Sequence, residues 1–345
     1  MLWFFGKDLD WGLVRQSLAK ADAFWVSLAV AIICLGYFLR AIRWKVLLEP
    51  ITGSSLRELF ATTTVGFAAI FLVGRAGEIV RPMWLPMRDK RVRPSAALVT
   101  LGLERLFDLA ALSLFFAVNL IWFQPPAGRQ SEFRFVAMAG FIMLGLVIVG
   151  FFGLIYFRRN SQKVITLAEK VVYRPIIPTR VSKVTISILQ KLAGALSILS
   201  SPKELLLVSF WTLLLWFAIA LPTWFVLLAF GLPITFTESL FIMGFASVSS
   251  VVPTPGGAAG AFHTATAASV LFIKSDIQTE DAAAISIAMH LVYFAPAVVF
   301  GFYYFIHGDI SWDRFKNLLS GEHAVEEIES EPPNGDRHLT AENRK

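Results

Sequence analysis

Long apolar stretches separated by short polar segments occupy most of the chain up to residue 306. Five of these stretches are long enough, with a few flanking residues, to cross a hydrocarbon core of about 30 Å at about 1.5 Å per residue. The predicted spans are 23–39, 95–123, 135–157, 205–230 and 282–306, and Pro222 is expected to interrupt the fourth. The pattern therefore predicts an all-α polytopic membrane protein built as a helical bundle.

Further apolar segments are too short to cross comfortably. Residues 59–73 reach about 22 Å and have basic flanks, whereas 239–252 and 258–273 meet at Pro253-Thr-Pro-Gly-Gly257 and have mainly acidic flanks. These flanks predict two opposed re-entrant or broken helices in an inverted-repeat-like arrangement, with a site near the midplane of the membrane. The alternative is that both short segments cross the membrane, which would reverse the orientation predicted for the segments that follow each of them.

Composition and charge support the membrane assignment. The chain is 56% hydrophobic and 16% charged, against about 45–50% and about 25% in soluble domains, and Cys34 has no second cysteine with which to form a disulfide. The net charge of +6 comes from short basic blocks between apolar stretches, which is typical of cytoplasmic loops rather than of a nucleic-acid-binding surface. No secretory signal peptide is recognised in residues 1–22, which we treat as an N-terminal segment.

Two polar regions flank or interrupt the membrane domain, which we place at residues 23–306. Residues 158–203 hold nine Lys and Arg and carry apolar residues at helical spacing between 181 and 199. This cytoplasmic amphipathic segment lies either on anionic headgroups or against the spans. Residues 307–345 contain nine acidic and five basic residues and are predicted to be a disordered, acidic cytoplasmic tail.

Three ionisable residues fall within the second predicted span, where each costs about 2.5–3.5 kcal/mol to bury in hydrocarbon. Glu104 and Asp108 share a helix face, and Arg105 can pair with Asp108. The remaining negative charge needs another cation, for which Arg75 and Arg81 are the nearest candidates in sequence. The alternative is a polar clamp between helices that binds no ligand.

A basic turn, Gly74-Arg75-Ala-Gly77-Glu78-Ile-Val-Arg81, follows the first short segment. Its glycines permit positive φ angles and close backbone approach. Arg75 and Arg81 can each hold a phosphate through two parallel hydrogen bonds, and Glu78 can fix one of them. The alternative is that these arginines only mark the cytoplasmic side of the membrane and bind no ligand.

The second turn, which contains Gly256 and Gly257, is expected to start a helix near Ala258 within the membrane. Its exposed N–H groups, up to Gly260, would favour an anion. His263 and, in the last span, His290 are secondary candidates, although packing is the more common role for such residues. The histidines and the single cysteine lack metal-ligand spacing, and no catalytic motif is recognised, so neither a metal nor a cofactor is expected.

Four sequence motifs, in this order, resemble the lysylphosphatidylglycerol synthase transmembrane-region family over roughly residues 20–306. They are Arg40-Ala-Ile-Arg43-Trp44, the basic turn 74–81, Glu104-Arg105-Leu-Phe-Asp108 and Pro253-x-Pro-Gly-Gly-x-x-Gly-x-Phe262. The resemblance implies an integral membrane protein of about eight apolar segments, associated with moving lipids between leaflets, and it makes Arg43 a further secondary candidate.

The chain departs from the family pattern at three places. Many relatives have a further N-terminal span, of which only residues 1–5 remain here, and a Glu is common where His263 stands. The synthase itself carries a large C-terminal catalytic domain, so aminoacyl transfer is not expected from this chain.

The leading functional hypothesis is a multi-pass lipid translocator of the inner (plasma) membrane and not an enzyme. Arg75 and Arg81, with the helix start at 256–260, would hold an anionic headgroup. One alternative is a membrane enzyme that acts on a lipid-linked substrate, with Glu104 and Asp108 as acid and base. Another is a non-transporting partner of cell-envelope enzymes. The expected partners are anionic membrane lipids and not nucleic acid.

Overall fold

The computed structural model describes residues 2–49, 52–173, 202–250, 252 and 255–308, together with seven isolated residues between 182 and 196. Within this part of the chain every regular element is a helix and no strand occurs. Seven of the described helices are long and apolar enough to cross a membrane. The prediction of an all-α polytopic membrane protein is confirmed.

Twelve α-helices and one 3-10 helix make up the described fold. Their bounds are α1 Leu2–Gly6, α2 Trp11–Lys20, α3 Ala23–Leu48, α4 Leu56–Val73, the 3-10 helix Gly74–Ile79, α5 Val80–Arg88, α6 Pro94–Trp122, α7 Gln130–Arg159, α8 Ser161–Val172, α9 Pro202–Ala229, α10 Phe236–Ser249, α11 Pro255–Ile273 and α12 Thr279–Ile306.

Short polar residues cap the helices that start at the ends of the bundle. The Asp22 carboxylate accepts a hydrogen bond from the N–H of Phe24 and starts α3, and the Ser55 hydroxyl does the same for α4 from the N–H of Glu58. Thr235 and Glu238 form a reciprocal capping box at the start of α10. Such caps satisfy N–H groups that have no partner within the helix, and therefore fix where each helix begins.

Several helices are longer than the apolar stretches that predicted them. α3 continues to Leu48 because Trp44 and Leu47 are fully buried in the bundle. α4 begins at Leu56 and has 18 residues, which reach about 27 Å, so its length alone no longer distinguishes a re-entrant segment from a crossing. α10 has only 14 residues, or about 21 Å.

The expected interruption at Pro222 is wrong, because α9 is a continuous helix through that residue. Proline removes an N–H and leaves a carbonyl one turn earlier without its helical partner. That carbonyl belongs to Ala218. The Tyr293 hydroxyl of α12 donates to the next carbonyl, that of Ile219, over 2.6 Å and also lies 2.6 Å from the Thr223 hydroxyl. A neighbouring helix therefore hydrogen-bonds to α9 beside the proline, and such contacts help membrane helices to tolerate this residue.

The middle of the molecule is formed by helices that lie far apart in sequence. α3 packs along α9, and α12 packs against both α4 and α11. The two interrupted elements, which are α4 with the 3-10 helix that follows it and α11 with the break at its start, are also neighbours. α11 contacts both α4 and the 3-10 helix. α7 lies at the edge of the bundle, where only 6% of its most apolar window is buried within the protein.

The predicted amphipathic segment is described in part. α8 covers Ser161–Val172. The predicted apolar positions are Val181, Val184, Ile188, Leu192, Ala195 and Leu199, and all six lie outside the described residues. Ile186 and Leu196 are described, and both are buried in a core cluster that includes residues of α3 and α9. These two side chains therefore pack on the spans. Most of the predicted tail, residues 309–345, also lies outside the described part.

Candidate functional site

Seven charged side chains from α3, the 3-10 helix, α5 and α6 meet inside the bundle, in a cluster that we call the arginine network. Ion-pair distances of 4 Å or less connect its members, which are Arg40, Arg43, Glu78, Arg81, Glu104, Arg105 and Asp108. The prediction placed Glu78, Glu104, Arg105 and Asp108 in one charge network, and the structure brings all four into this cluster.

Arg43 and Asp108 form the first of two bidentate pairs in the network. Nη1 of Arg43 donates to Oδ1 of Asp108 over 2.6 Å, and Nη2 donates to Oδ2 over 3.2 Å. Thr212 and Trp216 of α9 complete this pair, since Nη1 of Arg43 lies 3.4 Å from the Thr212 hydroxyl and the Trp216 indole donates to Oδ1 over 3.3 Å. The Arg43 side chain is fully buried, so this secondary candidate lies at the centre of the network.

Arg81 and Glu104 form the second bidentate pair. Nη1 and Nη2 of Arg81 donate to the two carboxylate oxygens over 2.7 and 3.4 Å. The guanidinium lies over the Trp44 ring at 4.3 Å, a stacking geometry that suits arginine. Gly66 makes room for this side chain, because a Cβ at that position would lie 2.1 Å from Cγ of Arg81.

Arg40 and Arg105 are held less closely than the other two arginines. Each lies 3.9 Å from Oδ2 of Asp108, and Arg105 also lies 3.7 Å from Glu78. Neither guanidinium donates a hydrogen bond to a described residue. Their side chains are 16% and 36% exposed, whereas those of Arg43 and Arg81 are at most 1% exposed.

The charge of the network differs from the sequence prediction. The described side chains comprise four arginines and three carboxylates, which gives a surplus of one positive charge. The predicted pairing of Arg105 with Asp108 is present only as a long contact, because Arg43 has approached the same carboxylate from α3. Arg81 is bonded to Glu104 and not to Glu78, whereas the Arg75 side chain lies outside the described part of the chain.

The second predicted turn is a break in the backbone of α11. Gly256, Gly257 and Ala258 have φ angles of 73, 62 and 64°, so three consecutive residues are left-handed. Glycine adopts this conformation readily, but a residue with a Cβ does so at a cost of about 1–2 kcal/mol. Gly257 is also in close contact with α12, since a Cβ there would lie 2.7 Å from the Phe294 ring. The regular part of α11, with Gly260 in its buried first turn, follows this break.

His263 and His290 lie side by side beyond the break, with their ring centroids 4.8 Å apart. Nε2 of His290 is 3.4 Å from the Gly257 carbonyl, whereas both ring nitrogens of His263 are buried and have no hydrogen-bond partner in the described structure. Phe5 of α1 covers the His263 ring at 5.2 Å. No group of three or more His, Cys, Asp or Glu among the described residues is placed to hold a metal ion.

Sequence reasoning missed the contribution of α3 and α9 to this site. Arg40 and Arg43 follow the first apolar stretch in a short basic block, which is typical of a cytoplasmic loop. Thr212 and Trp216 carry no charge and lie in an apolar span. The one available signal was the Arg-Trp motif of α3, which pointed to Arg43 only through the family resemblance.

Comparisons with known proteins agree with this architecture. The family description "Lysylphosphatidylglycerol synthase TM region" matches residues 1–301. A UPF0104 membrane protein of Pyrococcus horikoshii is 23% identical over 306 residues, which cover 84% of this chain and 87% of that protein. The family predicted from the four motifs is confirmed. The chain therefore belongs to the lysylphosphatidylglycerol synthase transmembrane-region family.

Proposed function

We propose that the protein translocates an anionic lipid, either a phospholipid or a lipid-linked intermediate, between the leaflets of the plasma membrane. The observation that carries this proposal is the positive surplus of the arginine network inside an apolar bundle. An uncompensated charge in hydrocarbon costs at least about 2.5–3.5 kcal/mol. An anionic headgroup would remove that cost while its acyl chains stay in the bilayer.

The two interrupted elements supply the second part of the proposed site. The 3-10 helix that carries Arg75 contacts α11, whose regular part starts after the break at 256–258. Arg81, which follows the 3-10 helix, donates a hydrogen bond to Glu104 and so joins this region to the arginine network. We therefore propose that a headgroup passes between the arginine network and the helix start at Gly257 and Gly260, where N–H groups favour an anion.

A re-entrant arrangement fits this route. α10 is too short to cross a bilayer of ordinary thickness, and α11 is broken at its start. We propose that α10 with α11, and α4 with the 3-10 helix, enter the membrane from opposite faces, as in transporters with discontinuous helices. In this topology the C-terminal tail lies in the cytoplasm, and cell-envelope enzymes are candidate partners.

An enzymatic role for Glu104 and Asp108 is less favoured. Each carboxylate already accepts two hydrogen bonds from an arginine, so neither is positioned to exchange a proton with a substrate. The proposal is therefore one of lipid binding and movement without a chemical step.

Purified protein in liposomes tests the proposal directly. The vesicles contain a trace of phosphatidylglycerol with a fluorescent acyl chain, and an impermeant reductant destroys the label in the outer leaflet. Translocation is expected to raise the destroyed fraction above the outer-leaflet share found in protein-free vesicles. An unchanged fraction would contradict translocation, and altered lipid products in the same vesicles would favour the enzymatic alternative.

Labelling with an impermeant thiol reagent tests the topology. In a Cys34→Ser background, cysteines introduced at Arg57 and Lys90 are expected to react from the same side of the membrane. Reaction from opposite sides would show that α4 crosses.

A further inference from the structure

We infer that Arg40 and Arg105, which each lie 3.9 Å from Oδ2 of Asp108, form the phosphate-binding pair of the arginine network. The ligand chemistry is a phosphate group, carried either by a lipid headgroup or by free phosphate. Phosphate binding by this pair is independent of whether lipids are moved, but the choice of a lipid as the source rests on the proposed function.

Their hydrogen bonds separate the four arginines into two classes. Arg43 and Arg81 each donate from both terminal nitrogens to one carboxylate, at distances of 2.6–3.4 Å. Arg40 and Arg105 contact carboxylates only at 3.7–3.9 Å, which is longer than any of these bonds and beyond about 3.6 Å, where a side-chain contact no longer counts as a hydrogen bond. Each guanidinium carries five N–H donors, so this second pair retains the capacity to bind an anion through a fork of two hydrogen bonds.

Asp108 does not satisfy these two arginines. Its Oδ1 accepts hydrogen bonds from Arg43 and Trp216, and its Oδ2 accepts a third from Arg43. Ionised carboxylates offer about four acceptor positions, so three of them are taken. One negative charge is thus shared by three guanidinium groups. Glu78, 3.7 Å from Arg105, is the remaining carboxylate of the network, so Arg40 and Arg105 together retain a surplus of one positive charge.

Access also distinguishes the pair. The side chains of Arg40 and Arg105 are 16% and 36% exposed, and that of Arg43 is fully buried. The guanidinium carbon of Arg40 lies 4.9 Å from the Phe67 ring, which supports one face of the group and leaves its N–H edge available. A phosphate that bridges the unbonded N–H groups of Arg40 and Arg105 would therefore leave the two bidentate pairs undisturbed.

Binding measurements on the purified full-length protein test this assignment. The probes are dioctanoyl phosphatidic acid, inorganic phosphate and dioctanoyl phosphatidylcholine, titrated calorimetrically in a zwitterionic detergent. Arg40→Lys and Arg105→Lys keep the charge and lose the fork. Each is expected to weaken binding of phosphatidic acid about tenfold, which corresponds to about 1.4 kcal/mol. Arg91→Lys is the matched control, because Arg91 is exposed and pairs with Asp89 at the surface.

Modification of the unaltered protein provides a second measurement that does not depend on variants that fold. Phenylglyoxal reacts with accessible guanidinium groups, and mass spectrometry locates the adducts. Phosphatidic acid is expected to protect Arg40 and Arg105 from reaction, whereas Arg91 remains reactive.

The outcomes separate the two proposals. Parental affinity in both lysine variants, an absence of anion binding by the parent, or a lack of protection at Arg40 and Arg105 would overturn the assignment. If inorganic phosphate binds as tightly as phosphatidic acid and shows the same losses, the arginine pair stands but the lipid as source fails. Anion binding without lipid movement in liposomes would leave this inference intact and would reject translocation.

Discussion

Replacement of Asp108 by Asn should be among the most damaging single changes to the fold. The asparagine keeps the shape of the side chain but removes the charge that accepts two hydrogen bonds from Arg43. The fully buried guanidinium then keeps only Glu104, 3.9 Å away and already bonded to Arg81, as a counter-charge. Removal of one partner from a buried ion pair typically lowers the free energy of unfolding by about 3–5 kcal/mol, and we expect a loss in that range.

Removal of both partners should be less harmful than removal of one. The double change Arg43→Met with Asp108→Leu leaves the net charge of the network unchanged and fills a similar volume with apolar atoms. Such replacements are often neutral or stabilising. Here Thr212 and Trp216 lose a hydrogen-bond partner. Arg40 and Arg105 also lose a carboxylate 3.9 Å away, so we expect a net loss of about 1–2 kcal/mol rather than none.

Reversible unfolding in mixed micelles with increasing dodecyl sulfate, followed by circular dichroism, measures these free energies. The control Arg91→Met breaks a surface pair in which the arginine side chain is 67% exposed, and should change stability by less than about 1 kcal/mol. If the double variant unfolds more easily than Asp108→Asn, Arg43 and Asp108 do not act as a pair and the reasoning fails.

Three further predictions follow from the same structure. His263→Phe should raise the melting temperature, because it removes two buried ring nitrogens that have no described partner and whose burial costs about 1–3 kcal/mol; a lower melting temperature would indicate a bound polar ligand. Gly66→Ala should lower the melting temperature, because the added Cβ would lie 2.1 Å from an arginine of α5, whereas Gly145→Ala, where the Cβ meets open space, should not; equal effects would contradict this packing. The side-chain hydrogen bond from Arg91 holds the pKa of Asp89 well below its usual range, so this carboxylate stabilises the fold above about pH 4 and its contribution is lost as the pH falls further. The difference in melting temperature between the parent and Asp89→Asn should therefore shrink from pH 7 to pH 3, and a constant difference would refute the linkage.

Hydropathy was sufficient to predict which parts of the chain form long apolar helices, but not where the helices end. α3 was expected to end at residue 39 and continues to Leu48. The additional turns contain Arg43, which is tolerated there because Asp108, distant in sequence, supplies its counter-charge. Hydropathy scores each residue without its partners in the folded protein, and therefore places the end of the span at these arginines.

The sequence also indicated which polar residues matter, but not their partners. Spacing on one helix favours Arg105 as the partner of Asp108, yet the strong hydrogen bonds come from α3. Likewise, Glu104 is bonded to Arg81 of α5. These pairings depend on how helices pack in three dimensions, which no local pattern specifies. The break at Gly256 and Gly257 was predictable because glycine is the residue that adopts left-handed backbone readily.

The most direct test of the account compares lipid translocation by the parent and by the double variant Arg40→Lys/Arg105→Lys. The melting temperatures of the two proteins are first shown to agree, and both are reconstituted at equal density. Phosphatidylglycerol and phosphatidylcholine with the same fluorescent acyl chain are then followed in parallel. We expect the parent to move the anionic lipid faster than the zwitterionic one and the double variant to lose this preference. Equal rates for the two lipids in the parent, or an unchanged preference in the double variant, would contradict the account.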